Sequence, residues 1–315
     1  MRIVIPGGTG QVGGVLARAF RGRGDEVVVL GRTAAKGVVP WDGRTLGPWA
    51  AAVDGAEVVV NLAGRSVNCR YTQANLDAMM RSRVDSTRVV GEAISRAAHP
   101  PRVWLQMSTA TIYAHTFGAP NDEATGRIGG GERGLPTYWD VSVEIAKAWE
   151  RTLAEALTPH TRRVALRSAM VMSPDRGGVF DVLLGLVKMG IGGAAAGGRQ
   201  YVSWIHDSDF VRAVELLAAR EDLDGPFNLA SPNPLPQREL MAELRRAAGS
   251  YVGLPATRWM LEVGAFLLRT DTELLLKSRR VIPARLLEAG FVFDQPLWAA
   301  AADDLVARRR IAPSR

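Results

Sequence analysis

The chain has 315 residues, 47% hydrophobic and 23% charged, a balance that buries a sizeable core and excludes disorder and collagen-like structure. Its single cysteine, Cys69, cannot make an internal disulfide. Its four histidines (His99, His115, His160, His206) are too scattered for a zinc motif, so metal catalysis and a disulfide scaffold are set aside. The formal charge of +7 raises the question of a nucleic-acid partner, but the 39 basic residues are dispersed among 32 acidic ones without interleaved aromatics, which reads as a solvated surface.

Apolar runs alternate with amphipathic stretches from the first residue. Residues 1–5 predict a short strand, 7–13 a glycine turn, 15–21 a helix and 26–30 a second strand, continuous in apolar residues as when both sheet faces are covered. Further strands are expected at 58–62, 103–108 and 163–172, with helices over 72–96 and 138–157. This alternation implies βαβ units and an α/β, Rossmann-type doubly wound parallel sheet. From about residue 177 glycine-rich loops take over, then a helix to 219, a strand at FNLA and proline-punctuated helices. The expected organisation is a dinucleotide-binding domain over 1–175, late strands from about 200–230, and a smaller, mostly helical substrate lobe over 176–315 that includes a small C-terminal domain at about 250–300. No window offers the roughly 20 apolar residues of a membrane span, and MRIVIPGG carries no apolar targeting core, so a cytoplasmic protein without a membrane partner is expected.

The first turn reads Gly7-Gly8-Thr9-Gly10-Gln11-Val12-Gly13, between a strand and a helix. A pyrophosphate reaches backbone N–H groups at a helix N-terminus only where no Cβ intervenes, so glycines at 7, 10 and 13 point to a dinucleotide; a purely structural tight turn is the alternative. At the end of the second strand, where an NAD site usually carries a carboxylate for the ribose 2′-hydroxyl, stands Arg32. With Thr33 and Lys36 it suits a 2′-phosphate and favours NADP over NAD; an ordinary surface arginine is the alternative. Asn61-Leu62-Ala63-Gly64 supplies small residues where backbone passes close to such a ligand.

GGTGQVG, NLAG, STATIY and VSWIHDSDF, in that order, resemble the extended short-chain dehydrogenase/reductase superfamily, relatives of the nucleotide-sugar epimerases and dehydratases. WDG at 41–43, SRVDST at 82–87, GRQYVSWIH at 198–206, FNLASPNP at 227–234 and RVIPARLLEAGFVF at 280–293 resemble its epimerase-like SDR39U-type subgroup, which carries a small C-terminal domain of unknown function. The resemblance implies that Gly7, Thr9, Gly10, Gln11, Val12 and Gly13 hold the pyrophosphate and that Arg32 and Thr33 meet the adenosine phosphate. It places Trp41 and Asp42 near the adenine, and Leu62, Ala63 and Gly64 near ribose and pyrophosphate. Arg83 would point into the cofactor cleft, with Ser108 and Met172 bordering the nicotinamide.

Enzymes of this superfamily orient a substrate hydroxyl with Ser or Thr and move its proton with a Tyr followed four residues later by Lys, one helical face bringing the ammonium beside the phenol. Thr109 fits the first role, or else caps a turn. The pair itself is missing: alignment on Glu150 places Ser142 and Ala146 at its two positions, and Lys147 lies one residue off the face. Tyr113 and Tyr138 are the substitute proton carriers, Tyr113 with a packed strand-end aromatic as the alternative. Arg199, Gln200 and Trp204 lie where relatives face substrate, His206 is expected to hold a loop, and Asp209 to cap the helix that follows.

The implied activity is hydride transfer between NADP(H) and a small hydroxyl or carbonyl substrate, in a monomer or homodimer. A catalytically silent NADP-binding sensor or interaction protein is the rival.

Overall fold

Continuous β-branched runs form strands because their side chains pack on both faces of a covered sheet. The structure, a computed structural model, describes residues 1–33, 35–132, 135–136, 138–257 and 273–311, so the middle of the expected C-terminal domain, 258–272, lies outside the described residues. In chain order its opening half comprises β1 (Arg2–Pro6), α1 (Gln11–Gly22), β2 (Glu26–Gly31), β3 (Val38–Pro40), β4 (Val58–Asn61), α2 (Gln73–Arg96), β5 (Val103–Thr109), α3 (Tyr138–Ala154) and β6 (Arg162–Ser168). There follow β7 (Met170–Met172), α4 (Val179–Lys188), β8 (Tyr201–Val202), β9 (Trp204–His206), α5 (Asp207–Ala219), β10 (Gly225–Leu229), β11 (Leu235–Pro236), α6 (Gln237–Ala248), α7 (Glu273–Leu276), α8 (Ala284–Glu288) and α9 (Trp298–Ile311).

Seven strands form one parallel sheet in the order β10-β6-β5-β4-β1-β2-β3. The order reverses between β1 and β4, and the crevice beyond the carboxyl ends of strands at such a switch point is where open α/β sheets take ligands. One face packs Val15, Leu16 and Phe20 of α1 with Phe210, Val214 and Leu217 of α5. On the other, Val89 and Val90 of α2 and Leu153 of α3 meet Trp104. A separate core around Trp204 and Trp298 joins α4, α6 and α9. No described helix is long and apolar enough to cross a membrane.

Three local expectations are corrected. The run 163–172 is two strands: after Ser168 the chain leaves the sheet, Ala169 N donating to Leu229 O at 3.0 Å, and β7 pairs with β9 instead. The helix expected to 157 stops at Ala154 because Arg163, reaching over from β6, donates to the carbonyls of Leu153, Ala154 and Ala156 at 3.1, 2.9 and 2.7 Å. His206, not Asp209, caps α5, its ring accepting from Ser208 N at 3.2 Å while its other nitrogen lies 3.0 Å from Asp304. Asp209, wholly buried one turn in, accepts from the backbone N–H groups of Asp294 and Gln295 at 2.8 and 2.9 Å and so ties the late chain to the sheet layer.

Asp209→Ala would remove the carboxylate that accepts from both backbone N–H groups, so a loss of about 2 kcal/mol in urea-unfolding free energy is expected.

Candidate functional site

At the first turn the backbone approaches the end of β4 closer than any side chain permits. A Cβ on Gly7, whose φ is 75°, would lie 2.6 Å from Ala63 Cα, and one on Gly13 would lie 2.4 Å from Gly8 Cα. The N-cap of α1 is Gly10, which supplies no side-chain cap, and its first turn holds no acidic residue, so its positive end opens toward the crevice. Beside it the Gln11 amide nitrogen is buried without a hydrogen-bond partner. Val12 and Leu62 pack inward on the sheet core, and Leu62 N donates to Pro6 O at 2.8 Å. Asn61 shapes the 61–64 turn: its amide donates to Gln106 at 2.9 Å and its carbonyl accepts from Ala63 N at 3.1 Å. Thr9 packs over Gly31, where a Cβ would lie 2.6 Å from its methyl, and Arg32 and Thr33 emerge exposed beyond.

Arg83, from α2, lies against Gly64, with 3.3 Å between its Cζ and the Cβ that Gly64 lacks. It donates to Met79 O at 3.1 Å and sits 4.9 Å over the Trp149 ring. No carboxylate among the described residues pairs with it, and burial lowers its pKa to about 10. An uncapped helix end, an orphaned amide, glycine contacts without room for Cβ and a cation with no carboxylate partner among the described residues fit a dinucleotide's phosphates. Trp41 and Asp42 are farther from such a role. Trp41 is buried edge-on against Trp49 at 5.3 Å, and Asp42 closes its own turn by accepting from Arg44 N and from Thr45 N and Oγ1, which lowers its pKa to about 2.

Where β5 and β6 end, a cavity of about 210 Å³ opens between α2 and α3. Arg83, Thr109, Ser142, Trp149, Glu273 and Arg279 line it among apolar side chains. Thr109 Oγ1 accepts from Thr111 N at 3.1 Å, so the hydroxyl caps the turn and also borders the cavity. Ser142 donates to Glu273 Oε2 at 2.5 Å, Ala146 is fully buried, and Lys147 pairs with Glu144 on the outer face of α3.

Several expected residues lie elsewhere, most of them held by packing or by buried hydrogen bonds. Tyr113 is buried, its hydroxyl donating to Asn228 Oδ1 at 3.0 Å and accepting from Arg167 at 2.8 Å. Burial raises its pKa, so it is a packed aromatic outside the cavity lining. Ser108 donates to Glu150 at 2.6 Å, and Glu150 pairs bidentately with Arg167, a closed network that turns this hydroxyl away from the crevice. Tyr138 stands edge-on to Tyr71, a cavity-lining residue, at 6.3 Å. Met172 and Trp204 are fully buried in the α4–α6–α9 core, the Trp204 indole donating to Asn233 O at 3.3 Å. Gln200 is buried and donates to Ala195 O at 3.1 Å, and Arg199 is exposed outside the cavity lining.

Sequence reasoning missed Glu273, Lys277 and Arg279. Lys277 Nζ donates to Thr111 O at 3.1 Å and lies 3.8 Å from Glu273 Oε1; Arg279 donates to Thr111 Oγ1 at 3.1 Å. The available signal was a charged pair at i, i+4 enclosing three leucines in TELLLKSRR.

Residues 3–130 match the model of the NAD dependent epimerase/dehydratase family, and residues 256–305 match a domain of unknown function, DUF1731. The chain is 28% identical over 316 residues to the epimerase family protein SDR39U1 of Mus musculus, covering 98% of this chain and all of that one. It is 30% identical over 310 residues to the epimerase family protein SERP0438 of Staphylococcus epidermidis, covering 97% of this chain and 99% of that one. The crystal structure of human epimerase family protein SDR39U1 with NADPH superposes with a TM-score of 0.86 at 25% identity, over 98% of this chain and 99% of that one.

Desolvation, aided by the charge of Arg279, pushes Lys277 down to about 8 from 10.5. The cost of burying its ammonium is therefore borne in full below pH 8 and relieved as pH rises to 10.5. Stability should gain up to roughly 3 kcal/mol across that window. Urea unfolding at a series of pH values should show the rise in the parent and its absence in Lys277→Met.

Proposed function

The chain belongs to the NAD dependent epimerase/dehydratase family, and we propose that it is an NADP(H)-binding, epimerase-like oxidoreductase acting on a small hydroxyl or carbonyl substrate. The reading is carried by one conjunction: the uncapped, glycine-lined N-terminus of α1 and the cavity beyond β5 and β6 share the carboxyl edge of the sheet, with Arg83 lining the cavity and packed against Gly64 of the 61–64 turn. When bound, the nicotinamide supplies hydride chemistry.

The first-turn backbone of Gly7, Thr9, Gly10, Val12 and Gly13 and the Gln11 amide would bind the pyrophosphate, with Ala63, Gly64 and Arg83 closing the opposite side. Arg32 and Thr33 would meet the 2′-phosphate, and their exposure leaves them free to do so. The NADPH in the human relative's structure supports this choice over NAD. Thr109 would orient a substrate hydroxyl, Ser142 would stand where relatives place tyrosine, and Tyr138 would be the tyrosine nearest in role, through its contact with Tyr71.

Ser142 and Ala146 at the catalytic-pair positions favour the second reading, a protein in which NADP(H) occupancy serves binding rather than turnover.

Fluorescence titration should give NADPH a clear advantage over NADH. Arg32→Ala should weaken NADPH binding roughly ten- to a hundredfold and leave NADH unchanged. Equal affinity for both cofactors would remove the Arg32 assignment. Tight NADPH binding with no NADPH consumption over a panel of small carbonyl compounds would favour the silent reading.

A further inference from the structure

The charged groups that border the cavity between α2 and α3 are already engaged by the protein. Glu273 accepts from Ser142 and stands 3.6 Å from Arg279, whose guanidinium donates to Thr111 Oγ1 and to the carbonyls of Glu273 and Lys277. Arg83 donates to Met79 O, lies over the Trp149 ring and packs against Gly64 on the cofactor side. Between these groups the wall is largely apolar, with Val67, Met79, Ile145, Trp149 and Met170.

Most hydroxyl protons at the wall are spent as well. Ser142 gives its proton to Glu273, Ser168 to Ala169 O at 2.8 Å and Ser203 to Arg279 O at 2.8 Å. Thr109 and Thr111 differ. Each hydroxyl accepts a bond at 3.1 Å, from Thr111 N and from Arg279 Nε respectively, and gives its own proton to no described residue. A sugar ring brings several hydroxyls, each costly to desolvate without a partner, and this wall answers few of them. A single carbonyl oxygen needs one donor, which Thr109 has to give.

Size points the same way. About 210 Å³ is well below the roughly 300–1,000 Å³ of clefts that take drug-sized ligands. An apolar cavity of about 150 Å³ holds benzene, so there is room here for such a ring with a short carbonyl substituent and none for a sugar nucleotide.

We propose that this cavity takes an uncharged carbonyl compound with a compact apolar body, an aromatic or branched aldehyde or ketone or the corresponding alcohol, its oxygen at Thr109 and its body against Met79, Ile145 and Met170. The inference rests on the reading of the cavity as the substrate site, and assigns that substrate a class.

The test is calorimetric titration of the full chain, with and without saturating NADP⁺, using acetophenone as the uncharged probe, benzoate as an anion of similar shape and UDP-glucose as a sugar nucleotide. Acetophenone should bind the NADP⁺-loaded chain at least about tenfold more tightly than benzoate or UDP-glucose. Thr109→Val should weaken acetophenone about tenfold and leave isopropenylbenzene, which carries a methylene in place of the oxygen, unchanged. A merely structural role for Thr109 would weaken both probes. Ile145→Trp, which fills the cavity, should abolish acetophenone binding while NADPH still binds, and keeps the test decisive where Thr109→Val fails to fold. Equal or tighter binding of benzoate or UDP-glucose, no acetophenone heat, or parallel loss of both probes in a folded Thr109→Val overturns the proposal. So does acetophenone binding that NADP⁺ abolishes, since the cavity would then be the seat of the nicotinamide. Failure of NADP⁺ and NADPH to bind would instead remove the functional reading, since acetophenone binding is also measured without cofactor.

Discussion

The first strand-to-helix turn approaches the end of β4 so closely that a Cβ at Gly7 would lie 2.6 Å from Ala63 Cα, and one at Gly13 would strike Gly8. The rest of the carboxyl edge is arranged around this contact. It sets the 61–64 turn alongside α1, whose N-cap is Gly10 and whose uncapped positive end lies at the crevice where the strand order reverses. Asn61, fixed by Gln106 from β5, holds that turn in place, so this side of the crevice is braced by the sheet itself.

Across the crevice the polar groups have been redistributed. Where relatives with a Tyr–Lys pair use one face of a helix, α3 presents Ser142 and a buried Ala146, and charge arrives from Glu273 on α7 and from Lys277 and Arg279 just after it. Ser142 joins the two through its bond to Glu273. The hydroxyls that remain divide by environment. Ser108 and Tyr113 are drawn into the Glu150–Arg167–Asn228 network, where each finds a charged or amide partner, and Thr109 stays at the cavity edge. A phenol in that network is desolvated and its pKa raised, which makes it a poor proton carrier and a good packing element.

Much of the fold was legible because it rests on local periodicity. The β-branched runs at β1, β2 and β4, the glycine spacing and the long amphipathic α2 all follow from residue order. The errors arose where distant residues intervene. Arg163 ends α3 from another strand, His206 takes the cap from Asp209, and the break at Ala169 depends on Leu229 and on β9. Trp204 and Gln200 read as substrate-facing because the resemblance places their segment toward substrate, yet burial against Trp298 and Ala195 decides their role.

The sequence by itself determined the parallel α/β architecture, the glycine turn and the missing Tyr–Lys pair, because each depends on spacing along a single strand or helix. Only the tertiary structure decided which hydroxyls reach the cavity and which charges surround it. Glu273 lies 131 residues from Ser142, and Lys277 lies 166 from Thr111, so their meeting follows from packing across the sheet edge and has no signature in local order.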